Sequence, residues 1–163
     1  MARDILQDLL RGRGAHVDPV AVVASVRPEL AGRRLSGAEH TIWQLVWHMN
    51  YWMNYELRSL EGPEARYPEH AAESWPPVSA PADTPAWEAE VTRFRVQVEA
   101  LAMWGRRAAE EGIQDRLLHA RHEDRIGDVL WQMAAHNSYH TGQVALLLRA
   151  FGAWPPPGGG DTW

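Results

Sequence analysis

Apolar residues along this chain recur three and four positions apart rather than in alternation, which predicts helices and little strand. Ile5, Leu6, Leu9 and Leu10 begin the pattern, and Gly12 to Gly14 interrupt it. Asp18-Pro19 then has the form of an N-cap with proline at the first helical position, and Val20, Val22, Val23 and Val26 carry the pattern on to Pro28. Residues 3–30 are therefore expected to occupy the first helical position of a bundle. A second helix is predicted over 41–60, closed by Gly62-Pro63. Its stripe is Ile42, Leu45, Val46, Met49, Met53, Leu57 and Leu60, with Trp43, Trp47, Tyr51 and Trp52 around much of the remaining circumference. A helix apolar on nearly every side is buried on more than one, by the bundle or by a second subunit.

Residues 62–85 hold prolines at 63, 68, 76, 77, 81 and 85, which excludes a helix and predicts a long covering loop, with Tyr67 and Trp75 as docking residues. A third helix is expected over 85–111 from Trp87, Val91, Phe94, Val98, Leu101, Gly105 and Ala108. A fourth is expected over 124–151 from Ile126, Val129, Leu130, Met133, Val144, Leu147, Leu148 and Phe151. A proline and glycine tail, 152–163, follows. Four helices and one long loop predict an all-α four-helix bundle in a single domain spanning residues 1–163.

Composition narrows the function. With 16 Lys+Arg against 21 Asp+Glu the net charge is −5, which argues against holding nucleic acid by broad phosphate neutralisation. There is no cysteine, so disulfides, thiolate metal sites and a cysteine nucleophile are excluded. No apolar run is long enough to span a membrane and no secretory segment is evident, so a cytoplasmic location is expected. Nine tryptophans demand either a rich core or aromatic-lined surfaces.

The sharpest chemical feature is His136-Asn-Ser-Tyr-His140. An i,i+4 pair lies on one helix face one turn apart, which can bring two imidazoles to one metal ion. On the helical wheel His140 falls within the stripe of Ile126, Met133 and Val144, and His136 lies at its edge. Buried imidazoles need partners, and a divalent cation serves both. A third ligand has to come from another helix, and His48, beside the core stripe of 41–60, is the best candidate. Three neutral imidazoles suit zinc, nickel, copper or ferrous iron, and three protein ligands leave a position open for chemistry. Asn137 stands where a zinc protease would carry its general-base glutamate, so this is not that motif. Glu56 and Glu123 are candidate bases, although a solvated position is expected for each. Among the other histidines, His119, His122 and His70 are expected at the surface. His40 is expected to cap a helix or to support the ligands, and His16 to reach the bundle mouth.

The segment from His40 through His48 to Trp52 resembles the second helix of the DinB-like superfamily, a group of damage-inducible four-helix-bundle metalloproteins. His136-Asn-Ser-Tyr-His140-Thr-Gly-Gln143 resembles their last helix. Gly14-Ala-His-Val17 and the tail from Trp154 to Trp163 are also similar to members of the group. The resemblance implies a three-histidine divalent metal site at His48, His136 and His140, with zinc or nickel ahead of iron or manganese. It also implies a homodimer and an activity among S-transferases or isomerases that use a small thiol. Gln44, Asn137 and Gln143 are then expected to support the ligands, and Tyr51, Trp52 and Tyr139 to wall the pocket. A metal-dependent hydrolase, or a metal-binding stress-response dimer without turnover, are the alternatives.

Overall fold

The computed structural model describes residues 5–62, 66–118 and 124–155, so Glu123, His119, His122 and the tail beyond Pro155 lie outside the described residues. Within them the chain forms helices α1 (Ile5–Leu10), α2 (Pro19–Ala24), α3 (Pro28–Ala31), α4 (Ile42–Glu61), α5 (Thr84–Glu111) and α6 (Ile126–Ala150). No strand occurs among the described residues, only an isolated bridge between Leu117 and Arg125. The all-α helical bundle expected from the periodicity is what forms.

Local chemistry sets the boundaries. Thr41 and Gln44 close a reciprocal capping box on α4, with Gln44 Oε1 accepting the Thr41 amide at 3.1 Å. Asp83 caps α5 by accepting the Ala86 amide at 2.8 Å, and Gly112, at φ 65°, ends the helix in the left-handed conformation that glycine adopts without penalty. Asp18 caps α2 in the same way as Asp83 caps α5, and its carboxylate also pairs with Arg11, tying the two ends of the intervening turn together.

The helical stretch expected over 3–30, interrupted at Gly12 to Gly14 and stopping before Pro28, forms three short pieces, α1 to α3. Gly12 and Gly14 take positive φ, and Pro28 forces a new start because it has no N–H to continue α2. These pieces together cover the flank that a single long helix would have covered. Gly105 lets α1 approach α5 closely, since a Cβ there would lie 3.2 Å from the Gln7 backbone nitrogen of α1. The core between the helices holds Met49, Met53, Trp87, Phe94, Leu101, Leu130 and Leu148, all fully buried. Trp87 also donates its indole N–H to Val26 O at 3.2 Å, so this large ring leaves no polar atom stranded.

The proline-rich loop is folded down onto the body. A 3-10 turn over Ala71–Ser74 fits in the window between Pro68 and Pro76, a helical element the proline count did not predict. Thr41 donates its hydroxyl to Ser79 O at 2.7 Å, and Gly32 leaves room for Ala80, whose Cβ would stand 2.3 Å from a Cβ on residue 32.

Candidate metal centre

The α4 and α6 helices bring His48, His136 and His140 together, each offering one ring nitrogen within 4.8 Å of the others. The register explains this convergence. Met133, Asn137, His140 and Val144 follow one another on the inward side of α6, and His48 is flanked on α4 by buried Leu45 and Met49. His48 and His140 are each only 8% exposed.

Two of the three rings have their tautomer assigned by an acceptor. His48 donates Nδ1–H to Ser74 O at 2.9 Å, and His140 donates Nδ1–H to Gln143 Oε1 at 2.7 Å. Each therefore presents a bare Nε2 lone pair, the form a metal ligand needs, held by the outer hydrogen bond that usually accompanies it. His48 Nε2 and His136 Nε2 are 3.2 Å apart. Two imidazole nitrogens on one tetrahedral zinc, at about 2.0–2.1 Å from it, would stand roughly 3.3 Å from each other.

Burial keeps the rings neutral. It pushes His48 down from 6.5 to about 4, with the Ser74 carbonyl opposing and the nearby His140 and His40 adding to the drop. Burial likewise brings His136 to about 4, reinforced by His140 and His48. His140 is also lowered, again by burial first. His136 Nδ1 is buried without a hydrogen-bond partner, as is Asn137 Oδ1. The Asn137 side chain is close enough to oppose the fall in His136 but does not reach hydrogen-bond geometry. Without an ion His136 Nε2–H can donate to the His48 lone pair, whereas three neutral rings that turn an Nε2 lone pair to one point would hold a divalent cation there. The donor set fits a divalent ion.

Around this core the expected residues divide. Gln143 supports His140 directly. Asn137 is buried and donates to Met53 Sδ at 3.2 Å, pinning α6 to α4. Trp52 meets His48 edge-on at 6.4 Å, Tyr51 packs between Trp47 and Trp52, and exposed Tyr139 stands edge-on to His140 at 5.0 Å. Gln44 corrects the expectation, because its carbonyl is committed to capping α4. Glu56 corrects another. It is 2% exposed rather than solvated, since it falls on the inward line of Met49, Met53 and Leu60. It lies eight residues from His48, roughly 12 Å of helix rise, too far along α4 to join the cluster. His70 is exposed, as expected.

Two partners of the site come from the loop. Besides the Ser74 carbonyl, the Trp75 indole lies flat on His48, with ring centroids 3.8 Å apart and planes 8° from parallel. The same indole stacks on His40 at 3.8 Å and 14°. The loop thus clamps His48 by a hydrogen bond and by a ring face. A tryptophan set between prolines was the one visible signal.

The comparisons agree with this geometry. No curated protein and no solved structure matches the chain significantly. A profile of the DinB superfamily matches residues 18–144, which takes in α2 to α5, all three clustered histidines and most of α6. On that match, and on the helical bundle and histidine cluster that accompany it, the chain belongs to the DinB superfamily.

Proposed function

We propose that the chain is a metal-dependent transferase that uses a small thiol as cosubstrate, with His48, His136 and His140 as the ligands of a divalent ion. The observation that carries this reading is the pair of Nε2 atoms 3.2 Å apart, on His48 and His136, in a neutral cluster in which His48 and His140 already have their outer nitrogens engaged. Zinc or nickel suits the three imidazoles best, followed by iron or manganese. A divalent ion bound there supplies the Lewis acidity that lowers the pKa of a coordinated thiol or water.

The chain's own residues do the rest. Ser74 and Gln143 hold two ligands in the binding tautomer, and Trp75 fixes the plane of the His48 ring and keeps water from that face. Trp52 and Tyr139, edge-on to His48 and His140, offer apolar surface for an electrophile. The chain has no cysteine, so a nucleophilic thiol has to be brought by a cosubstrate. Assembly as a homodimer belongs to the same reading and follows from the family resemblance, and a cytoplasmic location is kept with it from the sequence pattern. No helix among the described residues is long and apolar enough to cross a membrane.

The test begins with protein purified without an affinity tag, whose metal is measured by elemental analysis and whose melting is followed with and without small thiols. One ion per chain and a thiol response confined to the metal-loaded form are expected. Full metal retention in His48→Ala and His140→Ala would overturn the ligand assignment. Metal binding without any thiol response would leave a metal-binding protein of another kind.

A further inference from the structure

On the opposite side of α6 from the clustered histidines, the turn between α1 and α2 builds a second imidazole site. His16 donates Nδ1–H to Val17 O at 2.7 Å, and a carbonyl can only accept, so the neutral ring carries its lone pair on Nε2. Ser138, mid-way along α6, donates its hydroxyl to that Nε2 at 2.6 Å, across 122 residues of sequence. The turn is shaped around this ring. Gly12, at φ +69°, has no side chain where a Cβ would meet His16 Nδ1 at 2.7 Å, and the Arg11–Asp18 pair closes the turn behind it. The hydroxyl and the imidazole open onto a pocket of about 150 Å³, walled by Leu9, Trp131, Ala134 and Ala135. Nothing in the metal centre uses either group.

We propose that Ser138 is a reactive serine, with His16 as its general base, and that the pocket accepts small acyl groups from activated aryl esters. A hydroxyl hydrogen-bonded to an imidazole whose other nitrogen is anchored is the arrangement that makes serine nucleophilic. In the step, Ser138 Oγ bonds to the ester carbonyl carbon while its proton passes to His16 Nε2. The bond to the aryl oxygen breaks, and the phenol carries off the proton as His16 returns to neutral. The amides around Ser138 are engaged within α6 and offer no donors to the developing oxyanion in either step, so acylation is expected only where the leaving group is as good as an aryl oxide, and the acyl-serine, an alkyl ester, accumulates rather than turning over.

The experiment treats the intact chain with p-nitrophenyl acetate and locates acetyl groups by peptide mapping. Peptides rather than released nitrophenol are read because a bound metal could also hydrolyse the ester. The sequence favours a clean result, since it contains neither lysine nor cysteine to compete. Ser138 is expected to acetylate far faster than exposed Ser36 in the same molecule, a comparison that needs no variant. His16→Gln should slow Ser138 about a hundredfold, the usual contribution of a positioned base, while a metal chelator should leave the rate unchanged. Acetylation of Ser138 no faster than that of Ser36, or unaltered in a folded His16→Gln chain, would reduce the pair to a tether between the N-terminal turn and α6 and overturn the proposal.

Discussion

The two faces of α6 use histidine differently although they prepare it in the same way. On the inner face His48 and His140 donate Nδ1–H to Ser74 O and Gln143 Oε1, and on the outer face His16 donates Nδ1–H to Val17 O. All three rings are thereby left with a lone pair on Nε2. The difference lies in what stands opposite that lone pair: another buried imidazole in one case, a serine hydroxyl in the other. Anchoring one nitrogen is therefore generic, and the group facing the second nitrogen decides between a cation site and a proton acceptor.

The largest effect that can break this contrast is loss of a clustered ligand. His136→Ala should remove stoichiometric metal, read by elemental analysis, while a Ser138→Ala chain keeps its full ion content. Equal losses in both would mean that the two faces are not separate sites. Removing an anchor is a smaller step. Gln143→Leu frees the His140 ring, and metal affinity measured by titration calorimetry should fall about 10–100-fold with the binding stoichiometry preserved.

Acidity separates the faces further. His48 and His136 sit near 4 when folded and near 6.5 when unfolded, so the unfolded chain binds protons that the folded chain refuses. The stability of the metal-free protein should be complete above the unfolded value and fall as pH drops from about 6.5 toward 4. Thermal melts across that window, compared with a His136→Gln chain, should show a shallower decline in the variant. The smallest effect is expected from Ser138→Ala, where one half-buried hydrogen bond is lost. Urea unfolding should report a destabilisation of about 1 kcal/mol.

Much of the inner site was legible because helix periodicity assigns faces. His136 and His140 share one by their spacing, and His48 follows from the stripe around it. The same register, carried one step further along Met49, Met53 and Leu60, also places Glu56 inside, against the expectation of a solvated carboxylate. Gln44 shows the reverse error. Thr41-x-x-Gln44 is a capping signature that outweighs proximity to His48. Trp75 was expected to dock the loop, but its seat on His48 and the Ser74 hydrogen bond were not legible, because contacts made by irregular backbone have no period to read. Neither was the His16–Ser138 bond, which joins a turn to a helix far along the chain. The division of residues 3–30 into three helices was foreshadowed by Gly12, Gly14 and Pro28, each of which stops a helix for a different reason.

The seat of Ala80 against Gly32 has a consequence at a distance. One methyl group added at residue 32 would collide with the strap that carries Ser74 and Trp75, although position 32 touches none of the three imidazoles. Gly32→Ala is thus expected to loosen cation binding from afar. Any variant of this chain that keeps the inner face intact has to keep that bare backbone as well.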